Sequence, residues 1–214
     1  MQSFRVLALI LLAARLVSQT APTAAPASTS GEPVTKLWEF SLSTSGYIVP
    51  HDRSYVSPVF IANHKRLHLE TRYNYEDQET GSLWIGANFS TGKKLALEVT
   101  PMFGGVFGLT GGVAPGLEMS MAWKRLSFYT EAEYVYDTRH HSGFLYDWNE
   151  LTYSPRDWFR TGLVSQRTRA YQTALDVQRG FLLGFSHKRL EFTTYIFNAG
   201  WTDPTVVLAA KFSF

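Results

Sequence analysis

From Trp38 to Phe214 the chain alternates apolar and polar residues with period two, segment after segment. That is the pattern of strands with unlike faces and not of helices. In the first segment Trp38, Phe40 and Leu42 share one face, and Glu39, Ser41 and Ser43 the other. The clearest segment sets Leu67, Leu69, Thr71, Tyr73 and Tyr75 against His68, Glu70, Arg72, Asn74 and Glu76. Leu83, Ile85, Ala87 and Phe89 alternate with Trp84, Gly86, Asn88 and Ser90; Leu95, Leu97, Val99 and Phe103 alternate with Ala96, Glu98, Thr100 and Met102. Leu117, Met119, Met121 and Trp123 oppose Glu118, Ser120 and Ala122, and Phe128 to Tyr136 oppose Tyr129 to Asp137 in the same way. Residues 55–63 carry Pro58, which costs a ladder hydrogen bond, and 144–153 are weakly patterned. Residues 158–168, 175–185 and 190–198 precede a closing strand, 204–214. The count is twelve strands, or ten if the two weak segments drop out. The glycine-rich run from Gly104 to Gly116 is followed by neither the Lys nor the helix of a phosphate-binding loop. It predicts a connecting loop.

The closing strand has the ~9–11 residues that a bilayer-crossing strand needs. Val206, Leu208, Ala210, Phe212 and Phe214 lie on one face. This ending resembles the closing strand of Gram-negative outer-membrane β-barrels, whose assembly machinery reads a terminal Phe with a second aromatic two residues earlier. Phe214 and Phe212 match that signal, whereas the Gly and polar residue favoured upstream are Ala209 and Val207 here. The resemblance implies an all-β, antiparallel transmembrane barrel over 36–214, with outer-membrane lipid and the barrel-assembly machinery as partners.

The amino terminus points to the same compartment. Arg5 precedes an apolar run at 6–14 with the form of a secretory signal peptide, and Ala25-Pro-Ala27 offers a cleavage site. The expected division is a signal peptide at 1–27, a Pro/Ala/Ser-rich leader at 28–35 and a barrel from 36. With no Cys there is no disulfide, thiolate metal site or lipid-anchored lipoprotein. Of 20 Lys and Arg, Arg5 and Arg15 fall in the signal peptide, leaving the rest balanced against 18 Asp and Glu. A neutral chain makes no electrostatic case for nucleic acid.

Strand direction orders the connections. If the first strand runs outward, the inner turns fall at His64-Lys65, Gly92-Lys93-Lys94, Lys124-Arg125, Ser154-Pro155-Arg156 and His187-Lys188, all short and basic. Tyr73, Tyr75, Tyr134 and Tyr136 then sit at outer strand ends, and Trp123, Phe185, Phe212 and Phe214 at inner ends. Two aromatic girdles suit two interfaces.

The other face becomes the lumen, carrying Glu39, Glu70, Arg72, Glu98, Glu118, Glu131, Glu133, Arg160, Asp176, Glu191 and Lys211. Rings of carboxylates select cations, so the face predicts a narrow passive pore that favours cations and takes small solutes. The competing reading is a structural network in which Arg72, Arg160 and Lys211 neutralise the carboxylates and fill the barrel. An outer-membrane lipid-modifying enzyme is the alternative function. Its only constellation of suitable residue types is His140-His141 with Ser142, Asp137 and Asp147, which reads more simply as a solvated loop. No cofactor, metal or catalytic residue is assigned. The acidic-sugar channels of the outer membrane resemble this chain in size and turn pattern. Their lumens carry rows of Arg and Lys, whereas this one is richer in Glu, so their substrate class does not transfer.

Overall fold

The computed structural model describes residues 38–168, 177–200 and 204–214. The expected signal peptide, the leader and Asp176 lie outside the described residues. In chain order the strands are β1 (Glu39–Ile48), β2 (Tyr55–His64), β3 (Leu67–Tyr73), β4 (Thr80–Ala87), β5 (Phe89–Thr91), β6 (Ala96–Gly108) and β7 (Gly112–Trp123). There follow β8 (Leu126–Asp137), β9 (Ser142–Arg156), β10 (Phe159–Arg167), β11 (Gln178–His187), β12 (Leu190–Phe197) and β13 (Thr205–Ser213). Sequential strands pair antiparallel, β1 pairs β13, and β4 pairs β6, which closes the sheet on itself. β4 and β5 lie end to end along β6, interrupted only at Asn88. Among the described residues the wall is therefore a closed antiparallel barrel of twelve strands.

Period-two alternation decides which residues fill the barrel. Leu83, Phe107, Leu163 and Phe181 point outward and are more than half exposed, while Val135, Leu182, Phe197 and Val207 point inward and are fully buried. An apolar exterior is the inverse of a water-soluble sandwich and matches a wall bathed in hydrocarbon. The interior is packed rather than open over much of its height. Tyr47, Tyr146, Trp148, Leu182, Phe197 and Val207 form one apolar cluster, and Trp84, Met102, Val106, Ala114 and Val135 another.

The start of β1 and the residue after β13 are tied together. Phe214 N–H donates to Phe40 O (2.9 Å) and Phe40 N–H to Phe214 O (3.2 Å). The Phe214 ring stacks on Phe40 and on Phe212, with centroids 5.7 and 5.6 Å apart.

Three local expectations are corrected. The glycine run is strand, not loop: β6 continues to Gly108 and β7 resumes at Gly112. Its glycines make room for a bulky side chain on the neighbouring strand β4. A Cβ on Gly104 would stand 2.5 Å from the Trp84 ring, and one on Gly116 would stand 2.9 Å from the same ring. Tyr75 is not part of the outer girdle. β3 ends at Tyr73, and Asn74 adopts a left-handed φ of 53°, which reverses the alternation and turns Tyr75 inward. The inner turn expected at 154–156 sits at Asp157-Trp158, because β9 runs on to Arg156.

Candidate functional site in the lumen

Arg72 stands at the centre of the charged interior. Strand β3 aims it inward between His68, Glu70 and the opposite wall, and its side chain is fully buried. Its Nε and one terminal nitrogen donate to the two oxygens of Glu70 at 2.8 and 3.0 Å, a bidentate pairing. The other terminal nitrogen lies 2.6 Å from Glu131, pairs with Glu133, and lies 3.7 Å from Glu76; Glu118 is 3.7 Å from the guanidinium on the Glu70 side. Five carboxylates thus converge on one cation. The aromatic surround holds it in place, with Tyr75 and Trp84 rings 4.5 and 4.8 Å from the guanidinium carbon. Tyr75 and Tyr129 hydroxyls donate to Glu131 (2.8 and 3.1 Å), and Ser82 and Trp84 donate to Glu76 (2.6 and 3.2 Å). These donors satisfy the Glu131 and Glu76 carboxyls alongside the guanidinium.

A second centre lies on β9 to β12. Arg160 donates to Glu150 (3.0 Å) and to Thr193 (2.9 Å), while Trp148 and Tyr195 donate to Glu150 at 3.0 and 2.8 Å. A cavity of about 370 Å³ is lined by Glu39, Asn63, Arg189 and Lys211 among others. Glu39 and Lys211 are exposed there, Glu191 faces Lys211 as its register partner, and Glu98 is exposed between Ser90 and Ser120.

The structure thus gathers Glu70, Arg72, Glu118, Glu131 and Glu133 into one cluster, places Arg160 in a second, and leaves Glu39, Glu98, Glu191 and Lys211 outside both. Two lumen carboxylates were not singled out in the sequence. Glu76 shares the face of Glu70 and Arg72 by alternation but was left off the lumen set, and Glu150 sits on a strand whose alternation is disguised by outward-facing Asp147 and Asn149. Tyr75 and Tyr146 were likewise missed as lumen residues.

His68 bridges Asn63 (2.9 Å) and Glu70 (3.2 Å). His68, Glu70 and Glu118 bring ligand atoms within 4.8 Å of one another. Both carboxylates also face the Arg72 guanidinium, which takes the place of a cation there. In the outer loop His140 contacts Asp137 at 2.6 Å. Asp147 is not part of that group: it pairs in register with Ala132, well down the strand from the Asp137–Ser142 pair, and projects from the outer wall.

No protein-family model matches the chain, and no curated protein matches it. The fold is similar to a solved structure described as KdgM porin in complex with disordered oligogalacturonate, with a TM-score of 0.55 at 11% identity, covering 81% of this chain and 99% of that one. At that identity the likeness speaks to the fold alone, a closed antiparallel barrel.

Proposed function

We propose that the chain is a small barrel of the Gram-negative outer membrane whose lumen forms a narrow, internally constricted passage that favours cations. The observation that carries this reading is the convergence of Glu70, Glu76, Glu118, Glu131 and Glu133 on Arg72. Carboxylates outnumber the guanidinium in the interior, and Glu39 adds an exposed one at the inner mouth. Charge focused in a low-dielectric channel repels co-ions more strongly than charge on an open surface, where salt screens it over ~10 Å. The solved barrel of similar fold holds an acidic oligosaccharide. A lumen centred on glutamates suits small cations or neutral solutes instead.

Planar-bilayer recording of the purified protein under a salt gradient tests this. The expected result is small conductance with a reversal potential on the cation side, and Glu98→Gln with Glu118→Gln shifts it toward zero while the fold is kept. Anion selectivity overturns the proposal. Zero conductance under all conditions favours the structural-barrel reading, which the packed apolar cluster around Tyr146, Trp148 and Phe197 supports.

Delivery is part of the same proposal. Under this reading the signal peptide at 1–27 directs export, and Phe212 and Phe214 are read by the barrel-assembly machinery. Phe214→Ala, or loss of Phe214, is expected to lower the yield of heat-modifiable barrel in membranes several-fold, whereas Phe212→Tyr keeps it near wild type. Equal yields for all three remove the assembly role.

A further inference from the structure

The turns β2–β3, β7–β8 and β11–β12 repeat one dipeptide: Lys65-Arg66, Lys124-Arg125 and Lys188-Arg189. The connection β5–β6 carries Lys93-Lys94. Antiparallel order places these connections, with the β9–β10 turn, at the end of the barrel where β1 begins and β13 finishes. All of these cations are exposed. The β9–β10 turn sets Asp157 beside Arg156, and among the described residues none of the Lys-Arg or Lys-Lys cations forms an ion pair with a carboxylate. The described connections at the other end are mixed in sign. They carry Asp52, Asp77 and Glu79 with Arg53 and Arg139, and Arg53 pairs with Glu79 at 3.1 Å.

Backbone geometry does not ask for these residues. Lys65, Lys124 and Lys188 adopt left-handed φ values of 55°, 55° and 57°. That region is unfavourable for a side chain with a Cβ, and two-residue hairpins prefer Asn or Gly in it. Lysine at all three, each followed by arginine, puts charge where conformation favours another residue. Two contacts show where the charge lies. The Lys124 ammonium stands 4.8 Å from the centroid of the Trp123 ring, and the Arg66 guanidinium 5.5 Å from that of Phe89. Trp123 shares the outward face of Leu117, and Phe89 pairs with Val99 on the outward face of Phe103. Aromatic rings at strand ends mark a membrane–water interface. These cations therefore lie back against the outer wall at head-group level, not over the lumen.

We propose that the Lys-Arg turns form a collar that binds the phosphates of anionic phospholipids bordering this end of the barrel. Each turn sets an ammonium next to a guanidinium, a point charge beside a planar fork. That pairing suits a phosphodiester of net negative charge better than one neutralised by an ammonium of its own head group. Arg125 uses one of its five N–H donors on Pro155 O, which leaves the others for a phosphate. A soluble polyanion would be met by cations standing clear of the wall, whereas the Trp123 and Phe89 contacts hold them against it. The collar needs a barrel seated in a bilayer and is independent of what crosses the lumen.

Electron paramagnetic resonance of the full chain reconstituted in phosphatidylcholine vesicles tests the collar, with spin-labelled phosphatidylglycerol and phosphatidylethanolamine as probes. The immobilised fraction of each label reports its association with the protein. The labels enter both leaflets, so the direction in which the barrel inserts does not matter. The expected result is a preference of about two- to fivefold for phosphatidylglycerol at low salt, the upper figure corresponding to one basic residue near an anionic surface. In about 1 M salt, where screening acts within about 3 Å, the preference should vanish. The triple variant Lys65→Asn, Lys124→Asn, Lys188→Asn should lose most of the preference and still convert on heating at or above the wild-type temperature, because asparagine enters the left-handed region readily. Arg66→Gln with Arg189→Gln, which keeps the lysines and the Pro155 contact, should reduce it too, and Arg53→Gln at the other end should not. Equal association of the two lipids with wild type at low salt overturns the proposal, as does a preference that survives the lysine variant. Lysine-dependent binding of inorganic polyphosphate without a lipid preference also overturns it, and assigns the turns to a soluble polyanion.

Discussion

Arg72→Met is expected to destabilise the barrel by about 3–5 kcal/mol, the cost of leaving buried charge without its partner. The substitution keeps side-chain volume and removes the guanidinium that five carboxylates face, so Glu70 loses a bidentate partner and Glu131 and Glu133 lose theirs. Lysine does not replace it: an ammonium is a point donor and cannot serve Glu70 in a bidentate fork while reaching Glu131 and Glu133 on the far wall. Removing negative charge in the same background should recover stability, so Arg72→Met combined with Glu131→Gln is expected to be more stable than Arg72→Met alone. The readout is the temperature at which the compact form converts to the extended form on an unboiled gel. A single Arg72→Met variant that converts within a degree of wild type would mean that the cluster does not hold the barrel together.

Gly104→Val should cost about 1–3 kcal/mol by overpacking, because its Cβ would stand 2.5 Å from the Trp84 ring. Gly105 supplies the internal control. It is the next residue, faces outward, and a Cβ placed there meets nothing within 4 Å. Gly105→Val should therefore be near neutral in the same heat-conversion assay. Trp84 cannot simply swing away, since its indole N–H is held by Glu76 (3.2 Å) and Ser82 (2.9 Å) and its ring lies over Arg72. In a Trp84→Leu background the penalty of Gly104→Val should shrink, giving a coupling of about 0.5–3 kcal/mol. Equal effects at 104 and 105 would return the run to the role of a flexible connection.

Much of the architecture was legible in the amino-acid sequence because a barrel wall is a local pattern. Strand side chains alternate between faces whatever the strand pairs with, so Leu67 to Arg72 or Phe128 to Asp137 announce both strand and face from within one segment. The aromatic ending at Phe212 and Phe214 and the short basic turns at Lys65 and Lys124 are local in the same sense. The failures are places where a neighbouring strand or a local backbone turn overrides the pattern. Gly104 and Gly116 look like loop residues along the chain, yet they are small because Trp84, on a neighbouring strand, needs the space. Tyr75 follows the alternation of β3 on paper, but a left-handed Asn74 puts it on the other face.

The candidate site divides the same way. Alternation alone places Glu70, Arg72, Glu118, Glu131 and Glu133 on the lumen face. Which carboxylates reach Arg72 depends on register and barrel closure, which bring β3 opposite β8 and set Glu133 against a residue 61 positions earlier. Period two says which way a side chain points, and it carries no information about how far around a closed sheet the opposite wall lies.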